Sequence, residues 1–102
     1  MDLNHQIRAF SSVDDYQSQL DAINDAFVEA RDEIEYAQED SETVYFEEGL
    51  KTAQKAVGEA MGKYNALLDS LSEQERGKLQ RSMGMKMEQL KAELYTVEQT
   101  HA

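Results

Sequence analysis

The chain has 102 residues, a net charge of −11 and neither proline nor cysteine. This length predicts a single domain over residues 1–102, and the absence of cysteine excludes disulfides and thiol catalysis. No apolar run approaches the roughly 20 residues of a membrane span, and residues 1–12 lack the apolar segment of a secretory signal. We therefore expect a cytoplasmic protein, although an organelle is not excluded.

Residues 1–11 are predicted to form a short N-terminal arm or a short separate helix, because Leu3, Ile7 and Phe10 are spaced by four and three residues. A long helix is predicted to follow over about residues 12–39. Ser12, with Asp15 three residues later, can cap its start. Its apolar residues alternate steps of three and four, which places them on one face of a helix. These residues are Val13, Tyr16, Leu20, Ile23, Phe27, Ala30, Ile34 and Ala37.

A second helix is predicted over about residues 43–71. Its apolar stripe has the same spacing and consists of Phe46, Leu50, Ala53, Val57, Ala60, Tyr64, Leu67 and Leu71. Met61 and Leu68 widen this face, so that it can contact two neighbouring helices. Three polar residues are candidate N-caps, namely Asp40, Ser41 and Thr43.

A third helix is predicted over about residues 73–99. Ser72 and Glu75 form an S-x-x-E capping box at its start. Its core is softer than the others because two methionines contribute to it. The stripe consists of Leu79, Met83, Met87, Leu90, Leu94 and Val97.

Three long heptad-patterned helices with short connections predict an all-α fold, an up-down-up antiparallel three-helix bundle with coiled-coil-like helices. The main alternative is a helical hairpin in which the third helix continues the second after a kink at Leu71 and Ser72. That arrangement would need a second chain to bury the third stripe.

Charge is unevenly distributed along the chain. Residues 1–48 contain 14 acidic and 2 basic residues, whereas residues 49–102 contain 7 acidic and 8 basic ones. An acidic surface disfavours nucleic acid and anionic membranes as partners and favours a protein with a basic surface; a merely solvated, solubilising face is the alternative. The candidate binding residues on the first helix are Asp25, Asp32, Glu35 and Glu39. Arg81, Lys86 and Lys91 on the third helix are expected to form a charge-complementary seam with the acidic first helix.

A second candidate surface is the strip Lys51, Lys55, Gly58 and Gly62, which is bordered by Lys63. The heptad register places this strip outside the core. One interpretation is exposed glycine that softens the helix at a cost of roughly 0.8–1 kcal/mol each. The other is a flat groove for a neighbouring helix, from a partner or from a second copy, because small residues four positions apart let backbones approach closely.

Five further apolar residues point away from the stripes: Val28, Tyr36, Tyr45, Met85 and Tyr95. They form either a contact surface, where tyrosine is favoured, or the edge of a core wider than the a and d positions.

No motif in the sequence names a reaction or a ligand. His5 and His101 lie near opposite ends of the chain without a neighbour at metal-ligand spacing, and phosphate-loop, dinucleotide and nucleophile-elbow motifs are absent. We therefore predict no catalytic, cofactor-binding or metal-binding residue, no cofactor, and a protein that is not an enzyme. A carboxylate-based enzyme or a metal-binding bundle is the remote alternative.

The size, the acidity and the three long heptad segments resemble those of tubulin-binding cofactor A, a small three-helix chaperone of β-tubulin. The resemblance implies a three-helix bundle and a chaperone-like role, and it carries over no site residue. Spectrin-like and vesicle-tethering bundles have a similar architecture. The predicted function is a protein–protein interaction module, an adaptor or chaperone-like assembly factor that uses the acidic helical face. A self-associating coiled-coil homodimer is the alternative.

Overall fold

The computed structural model describes the backbone of residues 2–100 and the side chains of residues 15–100. Three helices account for nearly all of this backbone: α1 (Asp2–Glu39), α2 (Phe46–Ser70) and α3 (Glu73–Thr100). Residues 2–100 contain no strand. The helices pack side by side into an elongated bundle of 61 × 22 × 15 Å, which confirms the predicted all-α three-helix bundle.

Helix α1 begins earlier than its expected start near residue 12, because the helical backbone extends from Asp2 without a break. Residues 2–39 contain neither proline nor glycine, so nothing in this segment favours a helix boundary. The contacts predicted for Leu3, Ile7, Phe10, Ser12 and Val13 lie outside the described side chains, as do His5 and His101.

Helices α1 and α2 approach each other closely because small side chains lie between them. A Cβ atom added at Gly49 of α2 would lie only 3.6 Å from the Cα of Ala37 on α1. The core contributed by these two helices includes five alanines with relative exposures of 0–9%: Ala26, Ala30, Ala37, Ala53 and Ala60. The backbones of α1 and α2 consequently approach each other more closely than those of the other helix pairs.

Helix α3 packs on this pair through longer side chains. Leu79, Met83, Met87, Leu90 and Val97 are all buried, as the third heptad stripe predicts. Leu94 packs against the same core from a partly buried position. Flexible methionines fill the space between α3 and the small-residue surface of the other two helices.

Helices α1 and α3 run in the same direction. Lys86 Nζ donates a hydrogen bond to Asn24 Oδ1, and Arg31 pairs with Glu93. Both contacts join residues 62 positions apart, so one heptad along α1 corresponds to one heptad along α3. The two helices are therefore parallel and in register.

The connection between α2 and α3 reverses the chain within two residues. Leu71 adopts an extended conformation (φ −98°, ψ 155°), and the Glu75 amide donates to Ser72 Oγ at 3.3 Å, as the capping box predicts. The Arg76 side chain donates to the carbonyls of Leu68 (3.1 Å) and Leu71 (3.4 Å), which closes the carboxyl end of α2. Helix α3 thus folds back, and the hairpin alternative in which it continues α2 is wrong.

The connection between α1 and α2 contains all three predicted capping residues, and one of them, Thr43, has a different role. Thr43 Oγ1 donates to the carbonyl of Asp40 at 2.9 Å and accepts a hydrogen bond from the Tyr45 amide at 3.2 Å. Tyr45 occupies the N-cap position and makes no side-chain capping bond. Thr43 therefore stabilises the turn, and α2 begins at Phe46 rather than near residue 43.

Candidate functional site

Four acidic residues of α1 lie in a row on one exposed flank. Asp25, Asp32, Glu35 and Glu39 are separated by seven, three and four residues, the spacing that brings side chains onto one side of a helix. All four are exposed. Within residues 15–100, none of the four carboxylates makes an ion pair or a side-chain hydrogen bond. The structure places these residues, which we call the acidic row, together and without a neutralising partner.

The charge seam expected between α1 and the basic residues of α3 is wrong. Lys86 bonds to the neutral side chain of Asn24 rather than to a carboxylate. Lys91 Nζ pairs with Glu88 within α3, at 3.0 Å. Arg81 lines the groove between α3 and α2, on another side of the helix. The cations of α3 consequently leave the acidic row unneutralised.

The ion pair that does join α1 and α3 has the opposite polarity to the expected seam. Arg31 Nε of α1 lies 3.4 Å from Glu93 Oε1 of α3, and both side chains retain solvent contact. An exposed pair of this kind contributes only about 0–1 kcal/mol to stability. It neutralises the only basic residue of α1 that lies among the described side chains.

An open groove of about 470 Å³ runs beside the acidic row, between α1 and α3. Two members of the row, Asp32 and Glu35, lie in its wall. Val28, placed between Asp25 and Asp32, also lines it and is 57% exposed. The remaining lining residues are Phe27, Arg31, Ile34, Gln38 and Glu93. We refer to this feature as the α1/α3 groove.

Phe27 lies at the edge of the core beneath two cations. Lys86 Nζ is 4.6 Å from the centroid of its ring and the Arg31 guanidinium carbon is 5.9 Å away. Both distances are typical of cation–π contacts. The heptad pattern placed Phe27 in the core, and the structure shows it half-buried and packed against that core. Sequence reasoning missed this arrangement, although the spacing of Phe27 and Arg31 by four residues is a local signal for it.

The second candidate surface lies apart from the acidic row. It consists of Lys51, Lys55, Gly58 and Gly62, which are all exposed on α2 and which we call the glycine strip. A Cβ atom added at either glycine would meet no atom within 4 Å. Asn65, three residues after Gly62, lines the groove between α2 and α3. The glycine strip therefore borders the α2/α3 groove, whereas the acidic row borders the α1/α3 groove.

The α2/α3 groove has a volume of about 820 Å³ and a mixed lining. Met85 is 84% exposed beside it, and its charges have both signs, with Arg81 and Lys91 against Glu88. Burial of Tyr64 in its wall raises the pKa of that hydroxyl above the ordinary value, and the charge of Glu88 adds to the increase.

The five apolar residues that the heptads leave outside the stripes remain outside the core. They are 55–84% exposed: Val28, Tyr36, Tyr45, Met85 and Tyr95. Among the residues that the structure describes, no group of three or more His, Cys, Asp or Glu side chains is placed to hold a metal ion. In the same part of the chain, no helix is both long enough and apolar enough to cross a membrane.

A family model described as the embryogenesis-like protein helical domain matches residues 17–99, which include α2 and most of α1 and α3. The chain belongs to this family. It is similar to Embryogenesis-like protein of Arabidopsis thaliana, with 50% identity over 80 residues. The match covers 78% of this chain and 45% of that relative, so this embryogenesis-like chain spans less than half of the relative's length. No solved structure matches it significantly.

The embryogenesis-like family differs from the tubulin-binding cofactor A family, whose size and heptads this chain resembles. Its matched range contains both the acidic row and the glycine strip. The names of the family and of this relative give no reaction, ligand or binding partner.

Proposed function

We propose that this embryogenesis-like helical domain is a non-enzymatic protein–protein interaction module, an adaptor or chaperone-like assembly factor of the cytoplasm or an organelle. Its acidic row binds a basic surface of another protein. The observation that supports this function is the exposure of four carboxylates that have no cationic partner within residues 15–100. Cations from a partner would supply the missing pairs.

The length of the acidic row determines what kind of partner would fit. Asp25 and Glu39 are 14 positions apart, which is about 21 Å along a helix. This distance exceeds the Debye length of about 8 Å at physiological ionic strength, so one partner cation cannot serve the whole row. A partner with several spaced lysines or arginines would be steered toward α1 and oriented along it.

The proposal is tested by comparing what wild type and two charge-matched variants retain from a lysate of the protein's own source. The test variant is Asp32→Asn with Glu35→Gln, and the control is Glu59→Gln with Asp69→Asn, two exposed residues of α2. We expect wild type and the control to retain a partner that the test variant does not retain. We also expect moderate salt to release this partner from wild type. If wild type and both variants retain identical sets of proteins, the role of the acidic row is contradicted.

The alternative function is self-association as a structural homodimer through the glycine strip. The open space above Gly58 and Gly62 supports it, because a second helix could approach the backbone there. The net charge of −11 opposes it, because two copies repel each other. A melting temperature that rises with protein concentration would favour the homodimer.

The remote alternative is a carboxylate-based enzyme or a metal-binding bundle that uses the same acidic residues. A divalent ion that raises the melting temperature by many degrees would favour it, because a ligand that binds only the folded state stabilises that state.

A further inference from the structure

We propose that the α1/α3 groove binds a single helix of the partner, with lysines or arginines on one face and an apolar residue beside them. This inference rests on the proposed function. It adds the shape and the apolar anchor of the ligand to the charge already assigned to it.

The shape of the groove is the first argument. The groove follows α1, which supplies seven of its eight lining residues, and the parallel helix α3 lines it through Glu93. Its lining on α1 extends from Phe27 to Gln38, which is about 17 Å or three turns of a helix. One helix packs on another at about 8–10 Å between their axes, so a short helix laid along α1 would span the groove and meet α3 at Glu93.

The apolar lining is the second argument. Val28 is 57% exposed at the rim of the groove, between Asp25 and Asp32 of the acidic row. Phe27 is half-buried beside it, and the buried Ile34 lies about two turns further along α1. An apolar side chain of the ligand would cover Val28 while neighbouring cations reach the carboxylates on either side. Helix-in-groove recognition uses this combination of apolar anchors at helical spacing with flanking charges.

The charge of the groove is the third argument. Arg31, the one cation in its lining, already pairs with Glu93 at 3.4 Å, and the nearby Lys86 bonds to Asn24 and lies over Phe27. Asp32 and Glu35 in its wall, unlike Glu93, lack partners within the described residues. A cationic ligand is therefore favoured, and an acidic helix would be repelled.

The α2/α3 groove serves as a comparison. It has a more exposed apolar side chain, Met85 at 84%, but Arg81 and Lys91 stand there with Glu88. Lys91 pairs with Glu88 there, which leaves Arg81 as the unpaired charge, so this groove does not favour a cationic ligand. Of these two grooves, the α1/α3 groove is the one that combines an exposed apolar residue, Val28, with the unpaired carboxylates Asp32 and Glu35.

The test measures binding of two fluorescent synthetic peptides by anisotropy at low and moderate salt. One peptide is a helix of lysine and leucine with all leucines on one face. The other has the same composition in an order that leaves no apolar face. Wild type is compared with Val28→Ser, with Met85→Ser as the matched control for loss of an exposed apolar residue, and with the Asp32→Asn and Glu35→Gln double variant.

The amphipathic peptide is expected to bind wild type at least tenfold more tightly than the scrambled one. Val28→Ser should weaken the amphipathic peptide several-fold and leave the scrambled one unchanged, whereas Met85→Ser should change neither. Equal affinities for the two peptides, or equal effects of the two serine variants, would overturn the helix-in-groove proposal and leave the acidic interaction surface standing. If the Asp32→Asn and Glu35→Gln double variant binds the amphipathic peptide as tightly as wild type does, both proposals are overturned.

Discussion

Replacing Gly58 and Gly62 together by alanine should stabilise the domain. Both glycines lie in the interior of α2 and both are exposed. Glycine in a helix interior is less favourable than alanine because the unfolded chain loses more backbone freedom when it becomes ordered. The new methyl groups would point into open space, since neither Cβ atom would have a neighbour within 4 Å. No steric cost therefore offsets the gain in helix propensity.

The expected gain is about 1–2 kcal/mol for the two substitutions together, from roughly 0.5–1 kcal/mol each. In a domain of this size, 1 kcal/mol shifts the melting temperature by about 4–8 °C, so the double variant should melt on the order of 10 °C higher. The reciprocal control is Ala66→Gly at another exposed position of α2, which should lower stability by about 1 kcal/mol.

Thermal melting followed by circular dichroism at several protein concentrations measures the change. An unchanged or lower melting temperature for the double alanine variant, with the expected loss for Ala66→Gly, would refute the reasoning. If the double alanine variant melts lower than wild type and this difference grows with protein concentration, the glycine strip is a contact between copies of the chain. The open space above it is then occupied in solution.

Three further predictions concern the core and its edges. Phe27→Ala should cost about 2–3 kcal/mol in urea unfolding, less than the 3–5 kcal/mol of a fully buried phenylalanine, because its ring remains partly exposed; a neutral result would show that it does not pack on the core. Ala60→Leu should cost about 1–3 kcal/mol through overpacking, since Ala60 is fully buried, and a more stable variant would reveal spare room there. Burial raises the folded-state pKa of Tyr64. The contribution of Tyr64 to the free energy of unfolding is therefore complete below its unfolded-state pKa of about 10, and it decreases as the pH rises through the folded-state pKa. Tyr64→Phe should therefore lose less stability than wild type between pH 8 and 11, and parallel losses would contradict this assignment.

Periodicity predicted the core well because the steric requirement of a bundle repeats every three and four residues. On α3, the stripe from Leu79 to Val97 is buried except for the partly buried Leu94. The outward positions are equally clear, since Val28 and Met85 lie outside the core as their heptad places predict. Burial of apolar side chains determines which positions face the core. Each buried side chain contributes more free energy than differences in local helix propensity do.

The sequence could not predict which polar side chains would pair. Exposed ion pairs differ by only a few tenths of a kcal/mol, so composition alone does not choose between Arg31 with Glu93 and a seam formed by Lys86. The position of Arg76 over the end of α2 also went unnoticed. Its signal is a basic residue in the first turn of the next helix, within reach of the last carbonyls.

The 62-position offset between α1 and α3 also bears on the order in which the helices assemble. Ala37 and Gly49, which meet across α1 and α2, are only 12 positions apart, whereas Asn24 and Lys86 are 62 apart. Chain closure over the longer span costs about 1.5 kcal/mol more entropy by the logarithmic dependence on loop length. Arg76 and Leu68, which join α3 to α2, are only eight positions apart, so we expect the contact between α1 and α3 to form after both pairings of sequential helices.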